Sequence, residues 1–361
     1  MAFPSGWKWW KAVDIDATPA SLGGDLSNFP QPVKVTSDSD LALALATGAD
    51  IRFTTEAAPT VELKFEMPYW SGGGGSAASA FFWVQVPTIL AASGANLRMW
   101  FGNSGASDGQ DTSLWTDVNY EAVWHLDDNG NQLDSTGNGY TLSAPGNAPD
   151  YQQTGQNNSC CLFDDANSEY LERDAAPVTA APMTVTSLAK SDALTYQVAC
   201  STADKDGDSD WWALFASGGR AGQPTEWFSY DGVYAYSAST SGYTQNQWFH
   251  MAGRESASNS RASFYNGENK GTNATAQTPD NADRVSVGRL GKLTPSNYFS
   301  GYLEELRIAS DAKSDDWIKY EALSQLTAGN YCTIGSRRLH ARPKIGGGLA
   351  CGRGRIGSLI G

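Results

Sequence analysis

The sequence predicts an all-β protein: two β-sandwich modules followed by a basic Gly/Arg-rich C-terminal arm. Three observations carry this. The 361 residues include 13 Trp, 15 Tyr and 38 Gly, and long apolar helical patterns are scarce, a composition suited to pleated strands and tight turns. Short apolar–polar alternations recur along the chain, separated by Gly, Asn and Asp turn signals. The length exceeds what one sandwich needs. The division read from these patterns is an N-terminal module over 1–105, a linker over 106–118, a larger module over 119–329 and the arm over 330–361.

In the first module, Trp7, Trp9, Lys11, Val13 and Ile15 alternate with Lys8, Trp10, Ala12, Asp14 and Asp16, which makes a strand with one aromatic–aliphatic face. Further strands are read at Asp50–Phe53, Val61–Met67, Phe81–Pro87 and Asn96–Asn103, with Gly72–Gly75 as a hairpin tip. Ser104–Val118 is polar and reads as a linker. In the second module the strands are Tyr120–Leu126, a hairpin pair Met183–Ala189 and Leu194–Cys200, the aromatic runs Trp211–Ser217 and Trp227–Tyr236, Gln247–Gly253, Arg261–Asn266 and Val285–Arg289. Asn266-Gly267 is the preferred hairpin turn. Tyr302–Ile308 is the closing strand. Leu303 and Leu306 are three apart, so a bulge is expected near Glu304-Glu305, and Glu305 and Arg307 are spaced for an ion pair. A short helix follows, with Ser314 as N-cap, Asp315 and Asp316 in its first turn, and Trp317, Ile318 and Ala322 as its apolar stripe.

Two resemblances rest on these segments. Ala49–Phe53 (ADIRF), Trp83–Pro87 (WVQVP) and the closing Phe101-Gly-Asn103, after a Trp-rich first strand, resemble a bacterial and phage domain of unknown function over residues 6–105. Gly301–Ile308 (GYLEELRI), the turn Asp134–Gly139 (DSTGNG) and Gln247–Gly253 (QWFHMAG) are similar to laminin-G-like, concanavalin A-like jelly rolls over residues 119–325. The resemblance implies a lectin-like jelly roll, and the module pair resembles those of bacterial surface and phage proteins.

The net charge of −14 is uneven. Residues 331–361 lack Asp and Glu and carry Arg337, Arg338, Arg342, Lys344, Arg353 and Arg355, which leaves −20 on the rest. An acidic body disfavours nucleic acid as a partner, and the basic arm reads as a protein-docking arm. The five cysteines show neither CxxC nor zinc spacing and read as mostly free thiols. Met1–Asp16 shows no signal-peptide pattern, and no run reaches the roughly 18 apolar residues of a membrane span.

Three sets of residues were weighed for function. Trp211, Trp212, Trp227, Tyr230, Tyr234 and Tyr236 are glycan-binding candidates, because aromatic faces stack on sugar rings, although alternation should turn about half of them into the core. Asp204, Asp206, Asp208 and Asp210 offer hard oxygen ligands for calcium or form a solvated hairpin tip; the run lacks the EF-hand Gly and Glu. Neither Glu304/Glu305, Glu62/Glu66 nor Glu169/Glu172 matches the paired carboxylates of a glycosidase, and His125 and His250 read as core residues. The chain is therefore read as non-catalytic. It is expected to be a bacteriophage virion protein (tail fibre, appendage or decoration subunit), assembled in the host cytoplasm. Its partners would be other virion proteins, copies of itself and a host surface glycan. A bacterial cell-surface adhesin is the alternative, and a polysaccharide-degrading enzyme a weaker one.

Overall fold

The computed structural model describes residues 3–340. Its strands form four antiparallel sheets. In the N-terminal module a four-stranded sheet runs in the order Cys332–Leu339, Trp9–Ile15, Ala95–Phe101, Arg52–Thr55, and faces a three-stranded sheet of Leu26–Asp38, Ser76–Ile89 and Phe65–Gly73. Val13, Leu97, Met99 and Phe53 from the first meet Val33, Phe82 and Val84 from the second in one core.

The strand Ser76–Ile89 explains why Phe81–Val86 is apolar without alternating. Phe82 packs on Phe53 in the sandwich core, with ring centroids 5.2 Å apart. Trp83 points the other way, against Trp115 at 5.5 Å. Both faces of that sheet are covered, and a strand buried on both sides needs no polar alternation.

The larger module is a jelly roll. One sheet has six strands: Leu171–Arg173, Arg284–Val287, Tyr196–Ala203, Trp211–Ser217, Pro224–Tyr230 and Tyr234–Gly242. The other has eight, running from Glu268–Asn273 through Ser260–Tyr265, Phe249–Ala257, Met183–Ser191 and Gly301–Ala309 to Ser159–Phe163 and Asp150–Thr154, with Tyr120–Trp124 also on Gly301–Ala309. Leu214, Trp212 and Trp227 from the first pack against Met251, Leu303 and Ile308 from the second.

Several local expectations hold. The register of Gly301–Ala309 against Met183–Ser191 shifts between Leu188 and Thr186, and Glu305 adopts φ 54°, which is the anticipated bulge. Asn266 and Gly267 both have positive φ, as a tight hairpin turn requires. Ser314 Oγ accepts the Trp317 N–H at 3.1 Å and starts the helix Asp315–Leu326. Gly301 opens its strand at φ +122°, where a Cβ would meet the Lys190 carbonyl oxygen at 2.2 Å.

Four expectations need correction. Met183–Ser191 and Tyr196–Ala203 are not a hairpin pair; they lie in opposite sheets, because the chain crosses the sandwich between them. Trp227–Tyr236 is two strands, broken at Asp231-Gly232, an Asp-Gly turn with Gly232 at φ 72°. The segment read as a linker is packed: Leu114 and Trp115 are fully buried, and the Trp115 indole N–H donates to Glu66 Oε2 at 2.6 Å. The arm is not separate from its start, since Cys332–Leu339 pairs with Trp9–Ile15 along the edge of the N-terminal sheet. That edge offered unpaired N–H and C=O groups, and a returning strand satisfies them.

Candidate functional site

Alternation sorts the aromatic strands of the six-stranded sheet into two faces. Trp212, Leu214, Ala216 and Trp227 point into the sandwich core. Trp211, Ala213 and Phe215 point the other way and form a separate cluster with Phe228 and Tyr230. Register sets the outward rings in rows. Trp211 is opposite Tyr230, which is opposite Tyr234; Ala213 is opposite Phe228, which is opposite Tyr236. Trp211, Phe215, Phe228, Tyr230 and Tyr234 line a groove of about 350 Å³. That volume is at the lower end of ligand sites.

The rings brace one another. Trp211 stacks on Tyr230 at 5.3 Å between centroids, and Phe228 on Tyr236 at 4.9 Å. Tyr234 lies 4.4 Å from Tyr230 yet is 61% exposed, and Tyr196, at the far end, is 43% exposed. Trp211 is only 3% exposed, and its indole N–H has no hydrogen-bond partner. The loop bearing Leu290, Lys292, Ser296 and Asn297 forms the opposite wall, with Asp208. Two other depressions, of about 360 and 420 Å³, are lined by Gln156, Gln325 and their neighbours and by Arg254, Arg261 and Lys270, without an aromatic ring.

Of the six aromatic candidates, Trp211, Tyr230, Tyr234 and Tyr236 thus share the outward face. Trp212 and Trp227 do not: they are 2% and 1% exposed, and the Trp227 indole donates to buried Glu255 at 2.8 Å. They hold the two sheets together and present no face to a ligand. Tyr196, Phe215, Phe228 and Asn297 were missed; the strands of the three rings were legible, but only the pairing of strands and the return of the Asn297 loop place them beside Trp211.

The four aspartates of the 204–210 loop turn to separate partners. Asp208 accepts from Lys292 at 2.8 Å and from Thr294, Asp204 from the Asp206 N–H, and Asp210 from Asn281 at 3.1 Å, while Asp206 pairs with Lys205. Among the described residues no group of three or more His, Cys, Asp or Glu side chains is placed to hold a metal ion. Arg337 and Arg338 lie on the returning strand, over the rings of Trp9 and Trp10 at 4.7 and 4.8 Å. Arg342, Lys344, Arg353 and Arg355 lie outside the described residues.

The carboxylates that might suggest catalysis form a buried framework where the two modules meet. His125 bridges Glu66 Oε2 (3.1 Å) and Glu305 Oε2 (2.9 Å). Arg307 joins Glu305 (2.9 Å) to Glu321 (3.1 Å) and lies over Trp83 and Trp115. None of these five side chains is more than 11% exposed. Burial disfavours a charged His125, but Glu305 and Glu66 outweigh it and hold the imidazole well above its ordinary value. Burial and then the Glu305 charge push the Glu304 carboxyl up to about 7, against three backbone N–H groups of residues 156–158 that lower it. No catalytic grouping occurs among the described residues: each carboxylate is committed to an ion pair or a backbone cap, and His125 is a core residue, as its sequence context implied.

Residues 165–319 match the Concanavalin A-like lectin/glucanases superfamily, and residues 47–142 match a Domain of unknown function (DUF2341). No curated protein matches the chain. Solved structures similar to it include domain 4 of AbnA, a GH43 extracellular arabinanase from Geobacillus stearothermophilus, in complex with arabinotriose. That pair has 20% identity over 56% of this chain and 98% of the other, with a TM-score of 0.47. The Ruminococcus gnavus IT-sialidase CBM40 bound to α2,3 sialyllactose has 14% identity over 40% of this chain and 84% of its own, with a TM-score of 0.36. The botulinum neurotoxin serotype D binding domain has 16% identity over 58% of this chain and 53% of its own, with a TM-score of 0.44. The chain carries an N-terminal DUF2341 domain followed by a laminin-G-like, concanavalin A-like jelly roll.

Proposed function

We propose that this chain is a non-catalytic carbohydrate-binding protein whose jelly roll takes a glycan in the aromatic groove. One observation carries the reading: Tyr234, 61% exposed, and Tyr230 pair at 4.4 Å on the outward face of the sheet, with the buried Trp211 ring bracing Tyr230. The apolar face of a pyranose ring stacks on such rings, and their polar tips serve its hydroxyls. Tyr196 and Tyr234 are 43% and 61% exposed, so they can meet a ligand. The test is affinity electrophoresis of the full chain through gels containing soluble polysaccharides. At least one polysaccharide should retard the chain, and Tyr230→Ala with Tyr234→Ala should abolish the retardation while the chain stays folded, as read by circular dichroism. Retardation that survives both substitutions would move the binding site elsewhere.

The resemblance of the module pair to phage and bacterial surface proteins supplies the setting: a virion appendage, or a cell-surface adhesin, that exposes this groove. Docking through the basic arm to neighbouring proteins belongs to the same reading. Labelling with an antibody to this chain on purified particles and on intact cells separates the two settings.

A further inference from the structure

The charges around the groove are already committed, and this bears on which glycans fit. Lys292 is the one cation lining the groove among the described residues, and it is held by Asp208 at 2.8 Å. Arg220 is next to the aromatic face, 4.6 Å from the Tyr236 centroid and donating to the Tyr236 hydroxyl at 3.1 Å. Its Nε is 2.9 Å from Glu226, a carboxylate with 0% exposure. Turning Arg220 towards a ligand would leave that carboxylate in the interior with only the Ser217 hydroxyl as partner, and breaking a buried ion pair is unfavourable. Asp208, with Asp204 and Asp206 on the same loop, adds negative charge at one end of the groove, and residues 1–330 carry −20 in total. The groups left to meet a ligand are neutral: the exposed rings and hydroxyls of Tyr196 and Tyr234, with Tyr230 beside them.

We infer that the groove takes neutral pyranose chains and excludes glycans bearing carboxylate, sulfate or phosphate. An anionic sugar would enter a negative field with no free cation to receive it. This inference rests on the groove being the glycan site, and the two can fail separately.

The experiment uses the full chain and paired acidic and neutral glycans: polygalacturonate against its methyl ester, carboxymethylcellulose against hydroxyethylcellulose, and sialyllactose against lactose, together with an array of plant and bacterial oligosaccharides. The expected result is that every glycan bound is neutral. Each acidic counterpart should bind at least about tenfold more weakly, a gap that narrows in high salt. Asp208→Asn, which frees Lys292, should narrow the gap as well. If an acidic member binds as tightly as its neutral partner, and Tyr234→Ala removes that binding, the exclusion of anions is wrong while the groove stands. If no glycan binds, the groove reading fails and this inference fails with it.

Discussion

Arg307→Met removes the cation that two buried carboxylates share. Arg307 is 1% exposed and donates to Glu305 at 2.9 Å and to Glu321 at 3.1 Å, with its guanidinium 4.2 Å from the Trp83 centroid. Methionine replaces the stem but leaves Glu321 with the hydroxyls of Thr186 and Tyr120 and with His250, 3.9 Å away. Removing one partner of a buried ion pair costs about 3–5 kcal/mol. The pair also titrates. Burial pushes the Glu321 carboxyl up, yet Arg307, His250 and Thr186 together outweigh it and hold it at about 2, below its ordinary 4.5. Because the folded value is the lower one, this stability is fully present above pH 4.5 and is lost as pH falls through 2. Urea unfolding of wild type and variant should therefore differ by about 3–5 kcal/mol at pH 7, with the gap narrowing between pH 4.5 and the acid limit. A gap under about 1 kcal/mol at pH 7, the size of an exposed pair, or one that does not narrow in acid, would refute the reasoning. Arg307→Lys keeps the charge and should recover part of the loss.

Three further outcomes are expected. Tyr234→Ala should weaken glycan binding by about two- to tenfold, the value of one aromatic contact, without changing the melting temperature, because the ring is 61% exposed; Trp227→Ala should instead cost about 3–5 kcal/mol of stability by opening the core, read by chemical denaturation. Gly253→Ala places a Cβ 2.2 Å from Trp227 Cε3, and calorimetry should show a loss of about 1–3 kcal/mol from overpacking. A chain ending at Gly329 loses the strand that pairs with Trp9–Ile15 and should melt at a lower temperature than one ending at His340.

The sequence by itself determined the elements that depend on near neighbours in the chain. Ser314 capping its helix, the Asn266-Gly267 turn and the bulge at Glu305 are set by side-chain chemistry and backbone sterics within a few residues. The alternation of Trp211–Ser217 was equally legible, and with it the certainty that adjacent Trp211 and Trp212 would face opposite sides. Only the tertiary structure decided which side was core. Trp212 and Trp227 became the inward pair because the eight-stranded sheet covers that face, whereas Trp211, Tyr230 and Tyr234 met on the outward face through pairing across three strands. Glu66 and His125, 59 positions apart, became partners only through packing between modules, and Arg307 and Glu321 only through packing of a helix on a strand within one. The same holds for Cys332–Leu339: its Gly and Arg content suggested a free arm, but the unpaired edge of Trp9–Ile15 gave its backbone a hydrogen-bonded place. Local preference is a property of a short window, whereas a groove, a buried charge or a strand's partner depends on residues the chain brings together from far apart.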